Sequence, residues 1–255
     1  MRTPVSTCQV SSNSYLELHP HHPRMEKKRS TLLTNLTDIA QQFHSSSKLP
    51  HLTWLFPNAP HNHEANSTAW YTPGSFSPVP VGRSSSSSTN TTSNQDPEAD
   101  EPPDEAEDEM LESVEYVCSL IDAEVSKGVK LARIVVGGFS QGCAISLMVA
   151  LCSRYQGKLG GVVGLSGYLP QGGKIYEGRK RYSSQSEEGM GMKVFLAHGT
   201  RDMLVPMRVF RETRKRVQET VGVERVVDRE YEGMGHSTGG GEFRDLCAFL
   251  EGVVG

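Results

Sequence analysis

The chain has 255 residues, 36% of them apolar, and a formal net charge of −4. That length suits one large α/β domain, and the low apolar share puts part of the chain outside any core. The small charge gives no reason to expect nucleic acid as a partner, and no apolar run approaches the ~20 residues that a bilayer-spanning helix needs.

Residues 1–29 are polar, rich in His and Pro, and show no periodicity. They read as a disordered tail without the apolar stretch of a secretory signal, which points to an intracellular protein. Leu32, Leu33, Leu36, Ile39, Ala40 and Phe43 repeat at three and four and predict an amphipathic helix. Leu52 to Phe56 is a short apolar strand, stopped by Pro57 and Pro60. Residues 83–109 then combine a serine run with a Pro-rich acidic stretch, which cannot bury enough apolar surface to offset its ordering entropy. They are expected to form a disordered insertion into a domain spanning 30–255.

Beyond it the pattern is regular. Leu111, Val114, Val117, Cys118, Ile121 and Val125 make one helix face, closed by Gly128. Ile134-Val135-Val136 is a buried strand, and a helix follows over about 143–155. Strands are expected at 161–165, 194–197 and 226–231. Helices are expected from Pro206 to about Thr220, with proline at a first helical position, and over about 242–251. Alternating strand and helix predict an α/β fold with a mostly parallel sheet covered on both faces. The five cysteines, Cys8, Cys118, Cys143, Cys152 and Cys247, lack paired spacing. They argue against a disulfide framework or a zinc site and for a reducing compartment.

Gly138-Phe139-Ser140-Gln141-Gly142 fits G-x-S-x-G and lies between a buried strand and a helix, the context of a nucleophile elbow. Ser140 is then the nucleophile, and the amide of Gln141 can donate to a developing oxyanion. A serine needs a base to take its proton, and in such folds the acid and then the base follow in the chain. Asp202 lies in a loop after the 194–197 strand, and His236 lies in a glycine-flanked loop after the 226–231 strand. His198 is a competing base but precedes the acid. Cys143 reads as a small buried residue. The basic residues Arg208, Arg211, Arg214, Lys215 and Arg216 read as a solvated helix face, with attraction to an anionic membrane surface as the sharper alternative. His19, His21 and His22 read as part of the solvated tail rather than a metal site.

Three blocks then stand out: Gly-Gly-Phe-Ser-Gln-Gly-Cys (137–143), His-Gly-Thr-Arg-Asp-Met-Leu-Val-Pro (198–206) and Tyr-Glu-Gly-Met-Gly-His-Ser (231–237). They resemble the signature blocks of the acyl-protein thioesterase family, small esterases also called the phospholipase/carboxylesterase family. Leu55 to Pro60 and Trp70-Tyr71 resemble two further family blocks. The resemblance implies an α/β-hydrolase that removes palmitoyl groups from S-acylated proteins, with lysophospholipids or short esters as further substrates. It implies Ser140, Asp202 and His236 as the catalytic triad, Gln141 as an oxyanion donor, no metal or cofactor, and a cytoplasmic and possible nuclear setting with transient membrane-surface contact. One departure stands out. The family's early strand ends in His-Gly-x-Gly-Asp, which carries a second oxyanion amide, and residues 1–29 hold no such loop. From sequence, the strand is expected to be missing as well, leaving the N-terminal edge of the sheet incomplete. The alternatives are a general carboxylesterase or lysophospholipase, or a catalytically impaired protein that binds acylated partners.

Overall fold

The structure is a computed structural model that describes residues 5–10, 49, 52–62, 67–72, 105–183 and 191–254. Its strands are β1 (Val5–Val10), β2 (Leu52–Leu55), β3 (His61–Asn62), β4 (Ser67–Thr68), β5 (Ile134–Phe139), β6 (Gly161–Leu165), β7 (Lys193–Gly199) and β8 (Val226–Tyr231). Its helices are α1 (Glu105–Ser126), α2 (Gln141–Cys152), α3 (Gly173–Ser183), α4 (Met207–Val221) and α5 (Gly240–Val254). Six strands form one sheet in the order β2–β1–β5–β6–β7–β8, and every neighbouring pair is parallel. β3 and β4 make a separate antiparallel pair.

Successive strand residues point to opposite faces, and here both faces are buried. Val135, Val163, Phe195 and Ala197 pack with Leu246, Phe249 and Leu250 of α5. Val136, Val162, Val194 and Leu196 pack on the other side with apolar residues of α1 and α2. All residues of α2 are buried, so a helix that is apolar on every side sits at the centre of that layer.

In α1 the inward face is Met110, Val114, Val117, Cys118 and Ile121. Val125 was expected on it but is 39% exposed, and Glu124 is the buried residue of that turn. Steps of 100° from Val117 and Ile121 bring position 124 back to that face and carry position 125 toward its edge. Gly128, at φ +92°, ends the helix and donates its N–H to the Val125 carbonyl.

Three sequence expectations are corrected. Val5–Val10 is not part of a disordered tail. It forms β1, which pairs with β2 on one side and β5 on the other, so the early strand is present. Only Val5 and Val10 are strongly apolar there, and the strand is defined by two open backbone ladders rather than by its own pattern. Residues 105–109 belong to α1, not to the insertion. Two of the acidic side chains have distant partners: Glu107 accepts the Ile175 N–H at 2.6 Å, and Glu109 accepts both the amide and the hydroxyl of Thr72. Finally, α3 had no counterpart in the sequence reading. The expected helix around 32–43, residues 11–29 and the insertion over 83–104 lie outside the described residues.

One buried group carries a stability prediction. Glu242, in the first turn of α5, is fully buried, and the Gly239 backbone offsets only part of the cost of charging its carboxyl. Burial pushes its pKa from 4.5 up to about 8. Above pH 4.5 the unfolded chain releases this proton while the folded chain keeps it until about 8. The unfolded state therefore binds fewer protons in that window, and stability falls as pH rises, by on the order of 1 kcal/mol per unit. Urea unfolding of wild type and Glu242→Gln from pH 5 to 8 checks this. The wild type should lose stability across the range relative to the variant, and parallel curves would contradict it.

Candidate active site

Ser140 is the single residue between β5 and α2. Its φ of 56° and ψ of −120° lie outside the regions that L-residues favour. The reversal is held by the Ser140 N–H to the Leu165 carbonyl (2.9 Å) and by the Cys143 N–H to the Ser140 carbonyl (3.0 Å). It also needs space from the turn that follows β6. A Cβ on Gly167 would stand 2.4 Å from Cβ of Cys143 and 2.7 Å from the Ser140 carbonyl oxygen. Cys143 is thus a packing residue at the start of α2, as expected, and burial pushes its thiol up to about 12.

Asp202 leaves the carboxyl end of β7, two strands from Ser140 across β6. Its Oδ1 accepts the amides of Leu204 and Val205, each at 2.9 Å. Its Oδ2 faces His236 Nδ1 at 2.8 Å. Burial by itself would raise this carboxyl. The His236 hydrogen bond and the Val205 and Leu204 amides outweigh burial and hold it below the usual carboxylate range.

His236 comes from the loop after β8, and its Nε2 lies 3.0 Å from Ser140 Oγ. Nδ1 donates to the carboxylate, so Nε2 is left to accept the serine proton. The ring rests against Phe139, with centroids 4.7 Å apart. The acid and base loops are tied together. Thr200 N–H donates to the Tyr231 carbonyl at 3.0 Å, and Arg201 N–H to the Met234 carbonyl at 2.9 Å. Gly199 allows this crossing, because a Cβ there would meet the Met234 oxygen at 2.2 Å. The structure therefore brings together all three residues singled out from sequence. His198 does not face Ser140; its Nε2 is 2.8 Å from the Val205 carbonyl.

Gln141 opens α2, and a first-turn amide has no partner within its own helix. Its side chain does something the sequence did not announce. Oε1 accepts the Trp70 N–H at 3.2 Å, and Nε2 donates to the Tyr71 carbonyl at 3.1 Å. The elbow is thereby clamped to the Trp70-Tyr71 segment, both of whose side chains are buried. This segment offers few amides to a substrate: Ala69 N–H donates to Pro60, Trp70 N–H to Gln141 and Thr72 N–H to Glu109. β1 ends with Val10 in register with Gly138, two residues before Ser140. The sequence after it, Ser11-Ser12-Asn13-Ser14, contains no glycine.

The basic stretch on α4 is partly tied to the body. Arg211 and Arg214 pair with Glu230 and Asp228 of β8 at 2.9 and 3.0 Å, and Arg216 donates to the Leu169 carbonyl. Among the described residues, no helix is long and apolar enough to cross a membrane.

Comparison with known proteins agrees with this geometry. The family model described as Phospholipase/Carboxylesterase matches residues 95–254. The acyl-protein thioesterase 1 of Yarrowia lipolytica is 32% identical over 218 residues, covering 84% of this chain and 83% of that one. The acyl-protein thioesterase 1 of Emericella nidulans is 33% identical over 216 residues, covering 85% and 83%. Among solved structures, Arabidopsis thaliana SOBER1 superposes with a TM-score of 0.68 at 24% identity, over 99% of this chain and 100% of that one. With a parallel sheet, a serine on a strained elbow and relatives of this kind, the chain belongs to the phospholipase/carboxylesterase family of α/β-hydrolases.

Proposed function

We propose that this protein is a serine hydrolase that removes acyl groups from S-acylated proteins by way of an acyl-serine intermediate. The observation that carries hydrolysis is the relay from Ser140 Oγ through His236 to Asp202, at 3.0 and 2.8 Å. The substrate class is taken from the relatives, which are acyl-protein thioesterases.

In the first half-reaction Ser140 Oγ attacks the acyl carbonyl carbon while His236 Nε2 takes its proton. Collapse of the tetrahedral adduct breaks the C–S bond, and His236 returns the proton to the departing thiolate. In the second half-reaction water gives its proton to His236 and attacks the acyl-serine. Serine then leaves with that proton, and the acid is released. Asp202 stays ionised, fixing the imidazole tautomer and stabilising the imidazolium in both halves. The Gln141 amide is the oxyanion donor. No step calls for a metal or cofactor. Four buried free thiols, Cys118, Cys143, Cys152 and Cys247, support a reducing compartment, and we place the protein in the cytoplasm, with the nucleus open to it as well.

Hydrolysis of a palmitoyl-cysteine peptide and the matched palmitoyl-serine peptide tests the reading. The thioester is expected to give the higher kcat/KM. Preference for the oxyester, or for a lysophospholipid, would support the carboxylesterase or lysophospholipase alternative instead.

A further inference from the structure

His198 is the second imidazole at this site, and the relay from Ser140 to Asp202 does not use it. It lies at the carboxyl end of β7, opposite Glu230 in the β8 register. It is fully buried, and its ring stacks on Phe210 of α4, with centroids 4.7 Å apart and planes 13° apart. Nε2 is 2.8 Å from the Val205 carbonyl. A carbonyl only accepts, so Nε2 must carry the proton. The same nitrogen stands 3.6 Å from Oδ2 of Asp202, the oxygen that His236 engages at 2.8 Å. Two imidazoles thus bear on one carboxylate oxygen, one hydrogen-bonded to it and one just beyond hydrogen-bond distance.

The remaining nitrogen, Nδ1 of His198, is buried without a partner among the described residues. A buried unsatisfied acceptor costs about 1–3 kcal/mol. Phenylalanine has a similar shape and would stack on Phe210 without that cost, but it would leave the Val205 carbonyl without the Nε2–H. What histidine alone supplies here is therefore the bond to the acid loop.

We propose that His198 is a positioning residue for Asp202: a permanently neutral imidazole whose Nε2–H ties down the acid loop at Val205 and turns a positive edge toward Oδ2. The tie matters because Val205 is itself a ligand of the carboxylate, its N–H on Oδ1 at 2.9 Å and its carbonyl on His198. His198 thus holds the peptide that holds Asp202. The positive edge offsets part of the carboxylate's field, so Asp202 aligns His236 without over-stabilising its imidazolium. The groups facing His198 are Asp202 and His236 from the loops and Glu230 from β8, and Glu230 is neutralised by Arg211 and Arg214. Burial, with a contribution from His236, lowers the His198 pKa and keeps the ring uncharged.

The test compares wild type, His198→Phe and His198→Gln. Each is assayed for kcat/KM against pH on a soluble p-nitrophenyl butyrate ester and for thermal midpoint. His198→Phe should lower kcat/KM by about 10- to 100-fold, the scale of a misplaced catalytic group. It should also move the acidic limb of the profile to higher pH, because the Asp202 field on His236 is no longer offset. His198→Gln, which places an N–H near the Nε2 position, should restore both in large part. An unmoved limb in His198→Phe, with activity unchanged or falling only in step with thermal stability, overturns the proposal.

Should His198→Phe not fold, nitrogen NMR of the wild-type histidines decides. One ring must remain neutral with its proton on Nε2 from pH 5 to 9, and titration of every histidine overturns the proposal. The inference rests on the hydrolase reading. A wild type without turnover overturns both, whereas a normal wild type with an indifferent His198→Phe overturns this inference alone.

Discussion

Ser140→Ala and His236→Ala are each expected to lower kcat/KM on a soluble ester by roughly 10,000-fold or more, with Asp202→Ala less severe by one to two orders of magnitude. Without the hydroxyl there is no acyl-serine, and without His236 Nε2 there is no acceptor 3.0 Å from Oγ. Asp202→Ala leaves serine and imidazole in place but removes what fixes the tautomer. The sharper expectation is non-additivity. Because the three groups act on one proton, the triple variant should be little slower than Ser140→Ala. Steady-state kinetics of the four variants checks this, and independent, multiplying losses would contradict a single relay.

The second large effect concerns the oxyanion. Two amides normally share the negative charge of the tetrahedral adduct. In the proposed reaction Gln141 is one donor, while Ala69, Trp70 and Thr72 have committed their amides elsewhere. The family's second donor comes from a His-Gly-x-Gly-Asp loop after the early strand, and here Ser11-Ser12-Asn13-Ser14-Tyr15 stands in that stretch of sequence. A missing donor costs ~2.7–4 kcal/mol in the transition state, or about 100- to 1000-fold in kcat. Replacing residues 11–15 by His-Gly-Ser-Gly-Asp is therefore expected to raise kcat by up to that factor with KM changed little. β1 is the reason a graft is feasible: it ends beside Gly138, so a loop built onto Val10 starts next to the elbow. An unchanged kcat, with the graft folded, would mean that the chain already owns a second donor.

The parts of the site that were legible in the sequence are those fixed by local context. The elbow is announced by a buried strand, a Gly-x-Ser-x-Gly turn and an apolar helix within twenty residues. Asp202 and His236 follow because each loop comes directly after a recognisable strand. What was illegible depends on distant partners. Val5–Val10 has too few apolar residues to read as a strand, and only the open ladders of β2 and β5 define it. Glu107 and Glu109 looked like the end of a solvated acidic run, yet they bond Ile175 and Thr72, dozens of residues away. The α3 helix buries Ile175 deeply but otherwise displays Lys, Arg and Glu, so it offers no apolar stripe to detect. The clamp of Gln141 on Trp70 and Tyr71 spans about 70 residues and leaves no periodic trace.

The absence of the family's glycine loop also shapes the alternative of an impaired protein that only binds acylated partners. Such a protein would keep the fold and the three side chains but not an activated serine. The two cases differ in one property, the nucleophilicity of Ser140 in the folded chain. Labelling with a fluorophosphonate, followed by peptide mass spectrometry, reads that property without choosing an acyl substrate. A phosphonyl adduct is expected on Ser140 in the wild type and is expected to be lost in His236→Ala, whose serine hydroxyl remains but has no base. A folded wild type that takes no label, or takes it at another residue, would contradict the assignment of Ser140 as the activated nucleophile.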